Sequence, residues 1–317
     1  MTIKNKVKVT FLWKKWGLLL AFLLISFNQF ACDVCGCGIG GNYLGIIPNF
    51  SQNLWGISYQ SQTFQHPQTH LNLNNGNLVQ EDVFHRTELW TRQYVHPRVQ
   101  VFAFLPYQLH QRMDEGQSTE ISGIGDIRAM ALYSIINTGD STQSQWKHTW
   151  QMGAGVKLPT GKYQQRDDQR QMLPLLFQIG NGAYGWSFHQ VYTLRYKSFG
   201  MNTELQYRFN GTNELNYQQG DQFMGRLNLF YWKNFDGFRL LPSLGLLFEH
   251  FDQDMAFDQV EKNTGGLTYL ANAGLDVYSG NWMFQLFAQK ALHNDLAYGM
   301  PESNWRLGVG LGYFFGN

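Results

Sequence analysis

Trp305-Arg306-Leu307-Gly308-Val309-Gly310-Leu311-Gly312-Tyr313 alternates without a break. Trp305, Leu307, Val309, Leu311 and Tyr313 share one face, and Arg306 shares the other with Gly308, Gly310 and Gly312. A period of two marks a β-strand with two unlike faces. The stretch Trp150–Leu158 repeats the pattern, with Trp150, Met152, Ala154, Val156 and Leu158 opposed to Gln151, Gly153, Gly155 and Lys157. Asn202, Glu204, Gln206 and Arg208 form the polar face of a third stretch.

Twelve such stretches run along the chain. They are Trp55–Phe64, Thr87–Val95, Val99–His110, Asp126–Asn137, His148–Thr160, Tyr184–Tyr196, Gly200–Phe209, Gln222–Lys233, Arg239–Phe251, Gly266–Ser279, Trp282–Leu292 and Trp305–Phe315. The gaps alternate between long and short. The short ones are His96-Pro97-Arg98, Thr138–Lys147, Lys197-Ser198-Phe199, Asn234–Phe238 and Gly280-Asn281. The long ones are Gln65–Arg86, Gln111–Gly125, Gly161–Ala183, Asn210–Asp221, Asp252–Gly265 and His293–Asn304. An even strand number, with short turns on one side and long loops on the other, is the pattern of an outer-membrane β-barrel. A secreted β-sandwich has the same alternation with its faces reversed, so periodicity leaves both open. Length favours the barrel: a tilted strand needs about ten residues to cross a bilayer, against about five or six in ordinary sheets. Trp55, Trp150, Tyr231, Trp282 and Trp305 lie near strand ends on the apolar face, where interfacial aromatics belong. The expected fold is therefore all-β: a transmembrane antiparallel β-barrel of about 12 strands, with both termini on the short-turn, periplasmic side.

Composition agrees. The net charge of +1 offers no bulk attraction to nucleic acid. Charged residues are 15% and aromatics 16%, and mean hydropathy is −0.33, as half-apolar strands around a wet interior would give. Past the leader, no apolar stretch is long enough for a spanning helix. The leader has a basic start (Lys4, Lys6, Lys8, Lys14, Lys15) and an apolar run, Gly17–Ile25, which reads as an export signal cleaved between Asn28 and Cys32. An N-terminal membrane anchor is the alternative. The expected organisation is a signal over residues 1–31, a cysteine-containing segment over 32–53 and a barrel over 54–317.

Three motifs carry a family resemblance. Gly123-Ile124-Gly125-Asp126 is followed by Tyr133, then by Gly155-Val156-Lys157-Leu158-Pro159-Thr160-Gly161, then by Gln178-Ile179-Gly180-Asn181-Gly182. Order and spacing resemble the MetA-pathway phenol-degradation family of outer-membrane proteins. The resemblance implies a FadL-like channel for small hydrophobic or aromatic compounds. Taken physically, these residues suit strand ends and turns: Pro159 cannot donate to a ladder and Gly161 can adopt positive φ.

Cys32, Cys35 and Cys37 follow the cleavage region directly. A disulfide, a soft-metal site for Cu or Zn, and lipidation of Cys32 all stay open. No other cofactor is expected. His66, His70, His85, His110, His250 and His293 fall on or near the outer rim, where imidazoles can gather metal. The apolar, Gly-rich segment Ile39–Asn53 is expected to fold into the lumen as a plug, burying Tyr43, Leu44, Ile46 and Ile47.

Strand parity places Glu88, Arg92, Arg128, Lys157, Arg195, Glu204, Arg208, Arg226, Asp276 and Arg306 toward the lumen, with Phe102, Phe104 and Phe230. The basic excess favours anionic or amphipathic solutes. Each of these charges is equally a candidate for a structural pair. Ser187 and His189 share a face, but no nucleophile elbow or triad accompanies them, so an enzyme is not expected. The leading expectation is passive transport of small solutes, with the bilayer and a small permeant as partners. The alternative is a metal-handling protein that uses the cysteine cluster.

Overall fold

The computed structural model describes residues 52–67, 79–114, 117–138, 145–166, 170, 172–174, 177–262, 264–299 and 302–316. Twelve strands form the wall. They are β1 (Asn53–Pro67), β2 (Val79–His96), β3 (Val99–Asp114), β4 (Gln117–Ile124, then Arg128–Asn137), β5 (Trp146–Lys157) and β6 (Gly185–Tyr196). β7 (Phe199–Asn210), β8 (Gln222–Tyr231, continued by Lys233–Phe235), β9 (Phe238–Phe251), β10 (Gly266–Ser279), β11 (Trp282–Asn294) and β12 (Glu302–Phe315) complete it. Each strand pairs antiparallel with the next, and β12 returns to β1 from Asn53↔Phe315 to Gln65↔Glu302. Closure gives each of the twelve strands a hydrogen-bonded neighbour on both sides around the apolar belt, as a lipid-facing wall requires, while the outer piece Gln117–Ile124 pairs with β3 alone.

Four short connections are two-residue hairpins, at 97–98, 197–198, 236–237 and 280–281. Gly237 and Gly280 supply the positive φ (85° and 54°) that such turns need. These turns share one end of the barrel with the start of β1 and the end of β12.

The long connections differ from expectation. Much of Gln65–Arg86 and nearly all of Gln111–Gly125 is strand, because β1, β2 and β3 run on well past the apolar belt. Gln, Thr, His and Glu alternate there, which hides the period from a hydrophobicity reading. β4 is not one strand over Asp126–Asn137 but two pieces. Tyr107 pairs with Ile124 and Phe104 with Arg128, so Gly125-Asp126-Ile127 oppose only Leu105 and Pro106. One extra residue makes a bulge and flips the inward face from odd (Ile121) to even (Leu132, Ser134) numbers. Pro106, which has no N–H for the ladder, sits opposite that bulge.

The exterior has the banding of a bilayer-facing barrel. Ile57, Leu89, Leu205, Leu244, Leu286 and Val309 are exposed around its middle. Aromatic pairs close both edges, such as Trp282–Tyr313 at 4.9 Å and Trp146–Tyr196 at 4.5 Å on the turn side. On the loop side Tyr107, Trp186 and Trp305 are exposed. Trp55 and Trp282 are exposed as expected, while Trp150 and Tyr231 are half-buried. Among the described residues no helix is long and apolar enough to cross a membrane; the strands make the crossing. Leu244, 69% exposed at the centre of β9, tests this. Leu244→Arg should cost about 2–4 kcal/mol for refolding into lipid vesicles, whereas a water-facing site would change by less than about 0.5. Urea titration of the two proteins in vesicles decides between them.

On the loop side, Met255–Ala256 pairs with Gln259–Val260 and with Tyr217–Gln218, tying two long connections together. Asp254 anchors this clasp by accepting from the Tyr217 hydroxyl and from the Gly220 amide at 2.7 Å. Burial raises its carboxyl above the ordinary carboxylate range despite those donors.

Candidate functional site: the lumen and its inserted loop

The lumen is largely filled, in layers. Near the turns, Leu54, Trp90, Phe102, Phe230, Leu241 and Phe314 are buried together as an apolar floor. Above it lies a polar layer. Arg306, 2% exposed, donates to both carboxylate oxygens of Glu249, 0% exposed, at 3.0 and 3.4 Å, to Gln62 at 3.2 Å and to Gln289 at 3.1 Å. Arg226 pairs with Glu204 at 2.8 Å, and Arg86 and Arg128 both engage Glu88. Asn228, Asn272 and Gln289 continue the layer through amide–amide bonds.

The outer third of the lumen is occupied by the connection after β5. Leu173, Phe177 and Ile179 are buried against Phe64, Phe84 and Ile121, all inward-facing wall residues. The Phe177 ring lies 6.1 Å from that of Phe84, and the Arg112 guanidinium lies 4.8 Å from its centroid. His110 Nδ1 donates to the Phe177 carbonyl at 2.8 Å. Leu173, Phe177 and Ile179 of Gly161–Ala183, a connection expected as an outer loop, therefore fold inward. Burying three large apolar side chains contributes about 1.5–3 kcal/mol each, which works together with the polar contacts below against the cost of ordering the segment.

Polar contacts at the bulge hold this segment. Asp126 accepts from the Gly161 amide at 2.9 Å, the Asn181 amide at 3.3 Å and the Lys157 ammonium at 3.4 Å. Lys157 also donates to the Asn181 side chain. Thr160 accepts from the Ile127 amide and donates to the Gly125 carbonyl, both at 2.9 Å. Gln178 clamps Gln165 through its amide and carbonyl, both at 2.9 Å. Gly161 and Gly180 cross in van der Waals contact, and a Cβ on Gly180 would come within 2.5 Å of the Gly161 carbonyl oxygen. Any side chain there would separate the two segments.

A small cavity, with room for about two water molecules, remains beside β4–β7. Its lining includes Phe104, Arg128, Lys157, Ser187, His189 and Arg208. β5 and β6 leave this space because their inward residues include Gly155, Gly185 and Ser187, where neighbouring strands carry large side chains.

The sequence profile of the family described as "Putative MetA-pathway of phenol degradation" matches residues 60–289. The chain belongs to that family. The motif resemblance seen over 123–182 thus extends along most of the barrel. In this member, the family's three motifs are the parts of the latch: the bulge with Asp126, the strand end with Lys157 and Thr160, and the return segment with Gln178, Gly180 and Asn181. No curated protein sequence matches the chain. Among solved structures, it is similar to the COG4313 outer membrane channel from Pseudomonas putida F1, with 13% identity, a TM-score of 0.64 and coverage of 86% of this chain and 100% of that one. The autotransporter AIDA-I transport unit from Escherichia coli is more distant, with 8% identity, a TM-score of 0.48 and coverage of 87% and 94%.

All ten charged residues assigned to the lumen by parity point inward. Arg128, Lys157 and Arg208 line the cavity. Glu88, Glu204, Arg226 and Arg306 lie in the ion pairs described above, and Asp276 accepts from Gln285 at 3.3 Å. Arg92 is buried near the floor and donates to the Gln52 carbonyl at 3.0 Å. The Arg195 guanidinium lies 4.7 Å from the Trp232 ring centroid. Phe102, Phe104 and Phe230 all pack in the floor, and Phe104 also lines the cavity. Ser187 and His189 are hydrogen-bonded at 2.8 Å, Oγ to Nε2. The charged neighbour of His189 is Arg208, whereas a triad places an acceptor on the second ring nitrogen.

Among the described residues the rim histidines do not converge. His85 bonds Tyr59 on the exterior at 2.7 Å, His110 is under the loop, His250 faces Asp252 at 3.3 Å, and the His293 ring lies tilted 6.1 Å from that of Tyr269. Among the described residues no group of three His, Cys, Asp or Glu forms a metal-ligand set. His70 and the side chain of His66 lie outside the described residues, as do Cys32, Cys35, Cys37, the leader and the segment expected to plug the lumen, up to residue 51. Sequence reasoning missed Asp126, Asn181 and Phe177 as a unit, although two of them stand in the motifs.

Proposed function

We propose that the protein is a bacterial outer-membrane channel for passive diffusion of small hydrophobic or aromatic solutes, rather than an enzyme. The observation that carries this reading is the cavity. Among the described residues the lumen is largely packed with paired side chains, and a small cavity beside Phe104 and Met130 is kept open by small inward residues. A solute enters past the inserted loop and leaves past the apolar floor. The family match and the likeness to an outer membrane channel support the same reading. Proteoliposomes containing the purified barrel should take up benzyl alcohol faster than protein-free vesicles; equal rates would refute it.

Both termini are placed on the periplasmic side in this reading. An epitope inserted at Phe257-Asp258, an exposed turn of the loop side, should be labelled on intact cells. One inserted at Asp236-Gly237 should be labelled only after lysis. The reverse pattern would invert the orientation, and labelling of both on intact cells would remove the barrel from the membrane.

A further inference from the structure

We propose that Lys157 and Asn181 join in an intramolecular isopeptide bond, with Asp126 as the acid–base group. The proposal goes beyond the channel reading and does not depend on which solute passes. Lys157 ends β5, Asn181 lies just before β6, and Asp126 stands in the bulge of β4. The fold brings the three together. The Lys157 ammonium donates to the Asn181 side-chain carbonyl and, at 3.4 Å, to the Asp126 carboxylate.

The surroundings of this amide are those of an acyl-transfer site. The Ala183 N–H donates to the same Asn181 oxygen at 3.2 Å, where negative charge develops when an amine adds to the carbonyl. Asn181 Nδ2, the leaving nitrogen, is held by Gln219 at 3.0 Å. Asp126 also accepts from the Asn181 backbone amide at 3.3 Å, so the carboxylate is fixed to both partners. The Lys157 and Asp126 side chains are 11% and 12% exposed, which limits competing hydrolysis. Gly185 leaves room for the lysine: a Cβ there would stand 3.0 Å from Lys157 Cε.

The step balances. Asp126 takes one proton from the ammonium, and the freed amine adds to Asn181 Cγ. Asp126 returns that proton to Nδ2, and the old C–N bond breaks as the new one is kept. A second proton passes from the attacking nitrogen to the departing ammonia, which leaves as ammonium. Asp126 ends as the carboxylate, nothing is oxidised or reduced, and no co-reactant is needed. Amides resist amines in water, so the rate comes from holding the pair in place, worth an effective molarity of roughly 10⁵ M or more. The small cavity bordered by Lys157 gives the ammonia a first place to go. The bond fastens the return end of the inserted segment to the wall, while Leu173 and Phe177 stay held by packing.

The test is tryptic digestion and tandem mass spectrometry of the purified full-length protein, taken from its heat-modifiable band. A branched peptide should join Lys157 to Asn181, weighing the sum of its two arms less one ammonia, with no cleavage after Lys157. Asn181→Asp should give the same branched peptide, now with loss of water, because a side-chain carboxyl presents the same Cγ. Lys157→Arg and Asp126→Asn should give none. Separate, unlinked peptides from the unmodified protein would overturn the proposal. So would a succinimide between Asn181 and Gly182, which loses the same ammonia without a branch. Solute uptake into proteoliposomes is untouched by either result, so the two readings fail separately.

Discussion

Glu249→Leu is expected to destabilise the barrel by about 3–5 kcal/mol, because it strands a buried guanidinium. Arg306 is held by Glu249 through two bonds and by Gln62 and Gln289 through one each. Gln62 and Gln289 offer neutral oxygens, which do not replace a buried counter-charge. The cost falls on the unpaired charge rather than on the lost pair. The double variant Glu249→Leu with Arg306→Met should therefore recover most of the loss, since an ion pair replaced by apolar groups of similar size is often neutral. Urea unfolding in detergent micelles, followed by the heat-sensitive shift in electrophoretic mobility, measures both variants. A single variant within about 0.5 kcal/mol of the parent would mean that water reaches Arg306 and that this layer is open.

Asp126→Ala is expected to release the inserted loop. It removes a carboxylate that accepts from two backbone amides and one ammonium. Bonds to a charged acceptor are worth about 1.5–3 kcal/mol each, so losing two shifts docking by about 3 kcal/mol or more. That corresponds to an increase of roughly a hundredfold in the undocked population. Planar-bilayer recordings should show longer and larger openings, and protease should cut within Gly161–Ala183 in protein that keeps its heat-modifiable barrel. Recordings indistinguishable from the parent would mean that the loop is not the barrier to flow.

Both predictions depend on residues whose roles differ in how far the sequence exposes them. Asp126 stands in a sequence motif whose residue types suit strand ends and turns. Its second task, accepting from Gly161 and Asn181, joins segments 35 and 55 positions away along the chain. Glu249 carried no signal at all. It sits on a strand of alternating character among many others, and the partner that makes it matter is 57 positions distant. The plug expected from the N-terminal segment falls outside the described residues. Among the described residues the lumen holds an insertion from the connection after β5, a segment whose length between strands suggests an outer loop. Gln178 explains part of that placement: its side chain accepts from the Gln165 backbone amide and donates to the Gln165 carbonyl inside the fold.

The sequence by itself determined the strand number, which side chains share a face of each strand, and that the short turns gather at one end. These are local properties. A period of two decides which side chains share a face, and positive-φ turn residues such as Gly237 and Gly280 decide where the chain reverses. Only the tertiary structure decided which inward charges meet, where the strands end, and which part of the lumen stays open. Those outcomes depend on closing the ring. Closure sets β12 beside β1, aims Arg306 across the lumen at Glu249, and turns the one-residue bulge after Ile124 into the seat of an inserted loop. A pattern read along one strand carries no information about what faces it across the barrel.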